Sequence, residues 1–145
     1  MTGALFEITF YLAAPFWLLM IFAPAWSGTA RVAASPLTVL PVLAVYTVLA
    51  VPVFPELWTA VSSPDIDTFR DLAALPGGAG ALWAQVIAWD LLVGQWMYLQ
   101  SRKLGLSPLL MGPLLVLTIL LSPFGLLVFL AVRAVRLRRR ETLAA

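Results

Sequence analysis

"GALWAQVIAWDLLVGQWMYLQ", residues 80–100, decides the fold class. It holds no lysine, arginine or proline, and as a helix it matches the roughly 30 Å hydrocarbon core of a bilayer. Its one charge is Asp90, at the centre. An aspartate at that depth costs about 2.5–3.5 kcal/mol, against about 0.3–0.6 kcal/mol returned by each leucine. The carboxylate is therefore expected to face inward, away from lipid.

The rest of the chain agrees with a membrane setting. Of its 145 residues, 62% are hydrophobic and 11% charged, far from the composition of soluble domains, and the mean hydropathy is +0.98. Three further apolar runs, at about residues 4–26, 37–57 and 108–135, are long enough to span. The expectation is an all-α integral membrane protein: a single domain over residues 1–145, built as a four-helix transmembrane bundle with a basic tail at 136–145. The segment "TAVSSPDIDTFRDLAALPGGAG" (59–80) is the only substantial loop. Its breakers and the amphipathic stretch around Phe69–Leu75 predict a short interfacial segment between the second and third spans. A signal peptide is the rival reading of the first run, since "APA" at 23–25 imitates a cleavage site. No basic segment precedes that run, however, and it exceeds an ordinary signal core.

Cysteine and histidine are absent, which excludes disulfides and thiolate chemistry and removes the commonest general base and metal ligand. No metal and no cofactor are expected. Four spans place both termini on one side. Arg70, Arg133, Arg136, Arg138, Arg139 and Arg140 then oppose Arg31, Arg102 and Lys103 across the membrane, so the positive-inside rule predicts cytoplasmic termini in a multi-pass bacterial inner-membrane protein. The tail "RAVRLRRR" (133–140) follows a span directly and reads as a topology anchor, with anionic lipid as its other partner. No nucleic acid is expected.

Prolines fall in the first, second and fourth runs (Pro15; Pro41 and Pro52; Pro113 and Pro123) but not in the third. The third helix is thus expected to be straight and central. Gln85, Asp90 and Gln95 recur on it at five-residue steps of about 140°, so they point in three directions. Gly94 lies on the face of Asp90 and bares the backbone there. Thr118, in the middle of the fourth run, is the expected hydroxyl partner of Asp90, with Ser122, Tyr46 and Thr47 as other candidates. Two readings stay open: Asp90 as polar glue between helices, or Asp90 handling a ligand or proton. Trp89 and Trp96, seven residues apart, share a face and either pack against lipid and helices or line a flat apolar site. Glu7 and Arg133 lie near membrane boundaries, either as an ion pair closing the bundle or as independent residues, Arg133 snorkelling.

These motifs together resemble the abscisic-acid-deficient-four-like family of small four-span membrane proteins, and the resemblance covers nearly the whole chain. "FWLLMIFAP" (16–24) is similar to the family's tryptophan, apolar run and proline. In "WAQVIAWDLLVGQW" (83–96), Trp83, Asp90, Val93, Gly94 and Trp96 fit the family pattern. "GPLLVLTILLSPFGLLVFLAVR" (112–133) supplies Pro113, Thr118, Pro123, Gly125 and Arg133. Gln85 departs from the pattern by standing where the family has histidine. Plant members are associated with neoxanthin formation from violaxanthin. The resemblance thus implies a carotenoid, xanthophyll or similar apolar isoprenoid as ligand, at a site comprising Gln85, Trp89, Asp90, Gly94, Trp96, Thr118 and Tyr46. If the chain is catalytic, it implies an intramolecular isomerase of a xanthophyll epoxide with Asp90 handling the proton. The competing class is a non-catalytic accessory subunit or scaffold of a larger membrane complex. Lipid is the expected environment in either case.

Overall fold

The computed structural model describes residues 1–144. Among them there is no strand. The helices are α1 (Thr2–Phe22), α2 (Ser27–Ala33), α3 (Leu40–Ala50), α4 (Phe54–Ser62), α5 (Ile66–Ala74), α6 (Pro76–Leu104) and α7 (Pro108–Ala144), with 3-10 turns at Pro36–Val39 and Val51–Val53. Thr2–Phe22, Pro36–Ser62 and Pro108–Ala144 are long and apolar enough to cross a membrane. α5 and α6, bent by 102° at their junction, pass the same test together, and only with this pair does the count reach four.

Proline explains why the second run is segmented. Pro41, Pro52 and Pro55 each sit in the first turn of a new helical piece, where the missing N–H has no intrahelical acceptor to lose. The expected interfacial segment is α5. Asp65 caps it, its carboxylate accepting from the backbone N–H of Asp67 (3.1 Å) and Thr68 (3.4 Å).

The chain divides into two compact units: residues 1–14 with 39–89, and residues 15–38 with 90–145. The first has a core of Val45, Leu49, Ala50 and Ala81, against which Leu5, Leu12, Tyr46 and Leu57 pack. In lipid, burying apolar surface gives little drive for helices to associate, so close approach through small residues matters more. Gly80 supplies it here: a Cβ at that position would meet Leu49 Cδ1 at 3.0 Å. At the α5–α6 bend the backbone of Gly78 lies against the Leu72 carbonyl, leaving no room for a side chain.

The second unit corrects the reading of the fourth run as one span. Leu121 has non-helical dihedrals (φ −145°, ψ 70°), and the chain reverses there. A straight helix would carry Arg136 about 42 Å from Pro108. Instead Arg136 Nε donates to the Leu104 carbonyl (3.4 Å) and Nη2 to that of Gly105 (3.3 Å), beside the start of α7. Likewise Gly125 would stand about 10.5 Å along a helix from Thr118, yet a Cβ on Gly125 would lie 2.8 Å from Thr118 N and Cα. Residues 108–120 therefore descend along α6, and 122–144 return to the end where the run began. The reversal begins at Ser122-Pro123, a capping residue followed by a first-turn proline.

The turn between α6 and α7 is a Schellman motif: the N–H of Leu106 donates to Ser101 O (2.9 Å) and that of Gly105 to Arg102 O (3.2 Å). Gly105 has φ +62°, the left-handed conformation the motif requires. Arg136 then occupies the carbonyls left at the helix end. The reversal and this contact overturn one sequence expectation. The basic stretch at Arg136 lies at the same end of its unit as Arg102 and Lys103 rather than opposite them.

Candidate functional site

The buried stripe of α6 repeats at helical spacing through Ala84, Ala88, Leu91, Gln95, Tyr98 and Ser101, while Val86, Trp89, Leu92 and Trp96 are exposed. Asp90 flanks the buried stripe and is half-buried in the middle of the helix. The hydroxyl facing its carboxyl is that of Ser122, at the start of the returning limb. The carboxyl thus lies beside the point at which the neighbouring helix breaks, next to Leu121. A broken helix inside a membrane leaves backbone groups that must be satisfied by protein or lie along a cavity, and the Asp90–Ser122 pair marks that break.

Thr118 is fully buried, and its hydroxyl donates to Leu114 O (2.8 Å) and lies 3.6 Å from Met97 S. Its only donor is thus committed to its own helix, which corrects its expected pairing with Asp90. Gly94 is not open to a ligand: the Trp17 indole, 4% exposed, occupies the space a Cβ would take. The two side chains form one packed contact, glycine admitting the ring. Trp96 meets Phe129 edge to face at 5.6 Å between centroids and is otherwise exposed. Trp89 is exposed.

Gln85, Trp89 and Tyr46 belong to the first unit, Asp90, Gly94, Trp96 and Thr118 to the second. Gln85 is half-buried, and Tyr46 packs on the core of its unit. Thr47 is exposed and donates to Leu43 O. Glu7 is exposed in a surface hollow with Phe6, Phe10, Tyr11 and Trp83. Arg133 is half-buried on the returning limb, its Nε buried without a hydrogen-bond partner. Among the described residues the one ion pair is Arg70–Asp67 at 2.8 Å, exposed on α5. No group of histidine, cysteine or carboxylate side chains among them could hold a metal.

A buried side-chain pair in the second unit joins two residues for which the sequence alone offers no pairing. Gln95, 3% exposed, donates through Nε2 to Thr38 Oγ1 at 2.6 Å, and Thr38 donates in turn to Ser35 O. Tyr98 and Arg102 both donate to Pro24 O, at 2.7 and 2.5 Å, so the carbonyl after α1 is doubly satisfied. A signal for the second contact existed in the pairing of tyrosine and arginine one turn apart at the end of a span.

The chain has no match among curated proteins or solved structures. A family model described as ABA DEFICIENT 4-like matches residues 4–129, a range that contains all but the first two residues of α1, the helices α2 to α6, the reversal at Leu121 and every candidate site residue except Arg133. The chain belongs to the ABA DEFICIENT 4-like family.

Proposed function

We propose that this protein holds a carotenoid, xanthophyll or similar apolar isoprenoid within the membrane, with a polar end of the ligand directed to Asp90. The observation that carries this reading is the family match over residues 4–129, a family associated with neoxanthin synthesis. Asp90 supports it as the carboxylate at the middle of α6, beside Ser122 at a break in the neighbouring helix. Intramembrane carboxylates and broken helices are where membrane proteins recognise polar groups. Trp89 and Trp96 offer flat apolar faces on the same side of α6.

If the protein acts catalytically, the reaction is an internal rearrangement of a xanthophyll epoxide. The epoxide oxygen takes a proton, its carbon–oxygen bond opens, and a neighbouring carbon loses a proton, so no oxidant is consumed. Gln85, where the family has histidine, cannot serve as the base. That substitution, together with Trp17 filling the space at Gly94, favours the second reading of an accessory subunit or scaffold in a larger membrane complex. The membrane is that of a bacterial cell, with the basic end near Arg102 and Arg136 on the cytoplasmic side.

The test is chromatographic. The chain is expressed in carotenoid-producing cells with and without Asp90→Asn, which preserves shape and removes charge. A changed pigment profile, or a pigment copurifying with the wild type and reduced in the variant, is expected. An unchanged profile with no copurifying polyene overturns the ligand reading, and copurifying membrane proteins then favour the scaffold.

A further inference from the structure

The reversal of α7 creates a feature that the isoprenoid reading does not use. Between the turn after α6 and the returning limb lies a hollow of about 380 Å³, walled by Leu106, Leu110, Val132 and Val135 and rimmed by Arg136 and Arg139. Its wall is apolar and its rim cationic. Arg136 is fixed by donation from Nε and Nη2 to the Leu104 and Gly105 carbonyls, and neither bond uses Nη1. Arg139 is three residues on, about 60° round the helix from Arg136, so both face the hollow. No carboxylate neutralises them, since Arg70–Asp67 is the one ion pair among the described residues.

We propose that this hollow binds one anionic phospholipid, its phosphate held by Arg136 and Arg139 and an acyl chain lying along Leu106, Leu110, Val132 and Val135. Charge complementarity selects the headgroup. The apolar wall selects a lipid over free phosphate, which has nothing to place there. The position suits such a ligand: the hollow opens at the ends of apolar helices, where headgroups lie and where basic pockets between helices collect anionic lipids. Arg136 makes the site specific rather than diffuse, because its guanidinium is held in one orientation and presents a directed donor pair. Arg138, about 200° from Arg136 around the helix, points elsewhere and contributes only to the general field.

The test uses the full chain in mild detergent, with bound lipid measured by native mass spectrometry. Phosphatidylglycerol and phosphatidylcholine of identical acyl chains are compared. Retention of phosphatidylglycerol well above phosphatidylcholine is expected. Arg139, which makes no hydrogen bond among the described residues, gives the decisive variant: Arg139→Gln weakens retention about fivefold, whereas Arg138→Gln, with the same loss of charge, leaves it within about twofold. Leu110→Ser, which leaves the charge intact, also weakens retention. Equal losses for Arg139→Gln and Arg138→Gln overturn the proposal in favour of diffuse attraction. So does equal retention of the two lipids, or displacement of phosphatidylglycerol by millimolar inorganic phosphate.

Discussion

Replacing glycine by alanine at two positions of α7 should change stability in opposite directions. At Gly112 a new Cβ meets nothing within 4 Å, so Gly112→Ala gains helix propensity and reduced unfolded-chain freedom, about 0.4–1 kcal/mol. At Gly125 the same methyl lies 2.8 Å from Thr118 N and Cα. Ordinary contact begins near 3.4 Å, so the two limbs must part by about 0.6 Å, and both obstructing atoms are backbone that cannot rotate aside. Overpacking of this kind costs about 1–3 kcal/mol, which exceeds the propensity gain. Gly125→Ala should therefore be destabilised by about 1–2 kcal/mol while Gly112→Ala is stabilised, as read by equilibrium unfolding in mixed micelles. Equal stabilisation of both variants would refute the reversal at Leu121, because only a chain that turns back brings Thr118 against Gly125.

Three further outcomes follow from the same contacts. Gln95→Leu removes the 2.6 Å bond to Thr38 and should cost about 1 kcal/mol, and adding Thr38→Val should recover part of it; a full additive loss in the double variant would contradict direct coupling. Gly94→Ala should destabilise by about 1–3 kcal/mol through the Trp17 indole, and Trp17→Leu in the same chain should relieve the clash; absence of relief would mean that the ring does not fill that space. Since the chain has no cysteine, single thiols at Ser107→Cys and Glu141→Cys report topology directly. Both should react with a membrane-impermeant maleimide from the same side of oriented vesicles, and labelling from opposite sides would remove the shared basic end.

Much of the fold was legible because apolar length is a coarse, additive signal. The third run was read as 80–100 and lies inside α6, Pro76–Leu104, and the amphipathic stretch at Phe69–Leu75 falls largely within α5. The reversal was not legible in the same way. Ser122 and Pro123 sit inside an unbroken apolar run, and proline was read as a kink in a continuing helix. The same pair is also a capping residue followed by a first-turn proline, and the run, at residues 108–135, exceeds what one span needs. Length and capping together could have marked a new helix.

The site suffered from that single error. Depth along a continuous antiparallel span puts Thr118 opposite Asp90, whereas it lies near Met97 and spends its proton on Leu114 O. Ser122, named only among the alternatives, faces the carboxyl because the chain turns there. Gly94 was recognised as a place of close approach, but sequence carries no sign that Trp17, so far away in the chain, is what approaches. Helical spacing gives Gln95 only a direction different from those of Gln85 and Asp90, and no partner, because Thr38 lies in a 3-10 turn whose placement depends on Pro36 and the short α2.

The central claim is that Asp90 helps to hold an apolar isoprenoid inside the membrane. Visible absorption and circular dichroism of the full chain purified from xanthophyll-producing cells test it most directly, since a polyene held in a chiral site gains a dichroic band that dissolved pigment lacks. A near-stoichiometric polyene spectrum with induced dichroism in the wild type, lost or strongly reduced in Asp90→Asn at equal folded yield, is the predicted result. A colourless wild-type protein from cells rich in xanthophyll, or an identical dichroic band in Asp90→Asn, would contradict it.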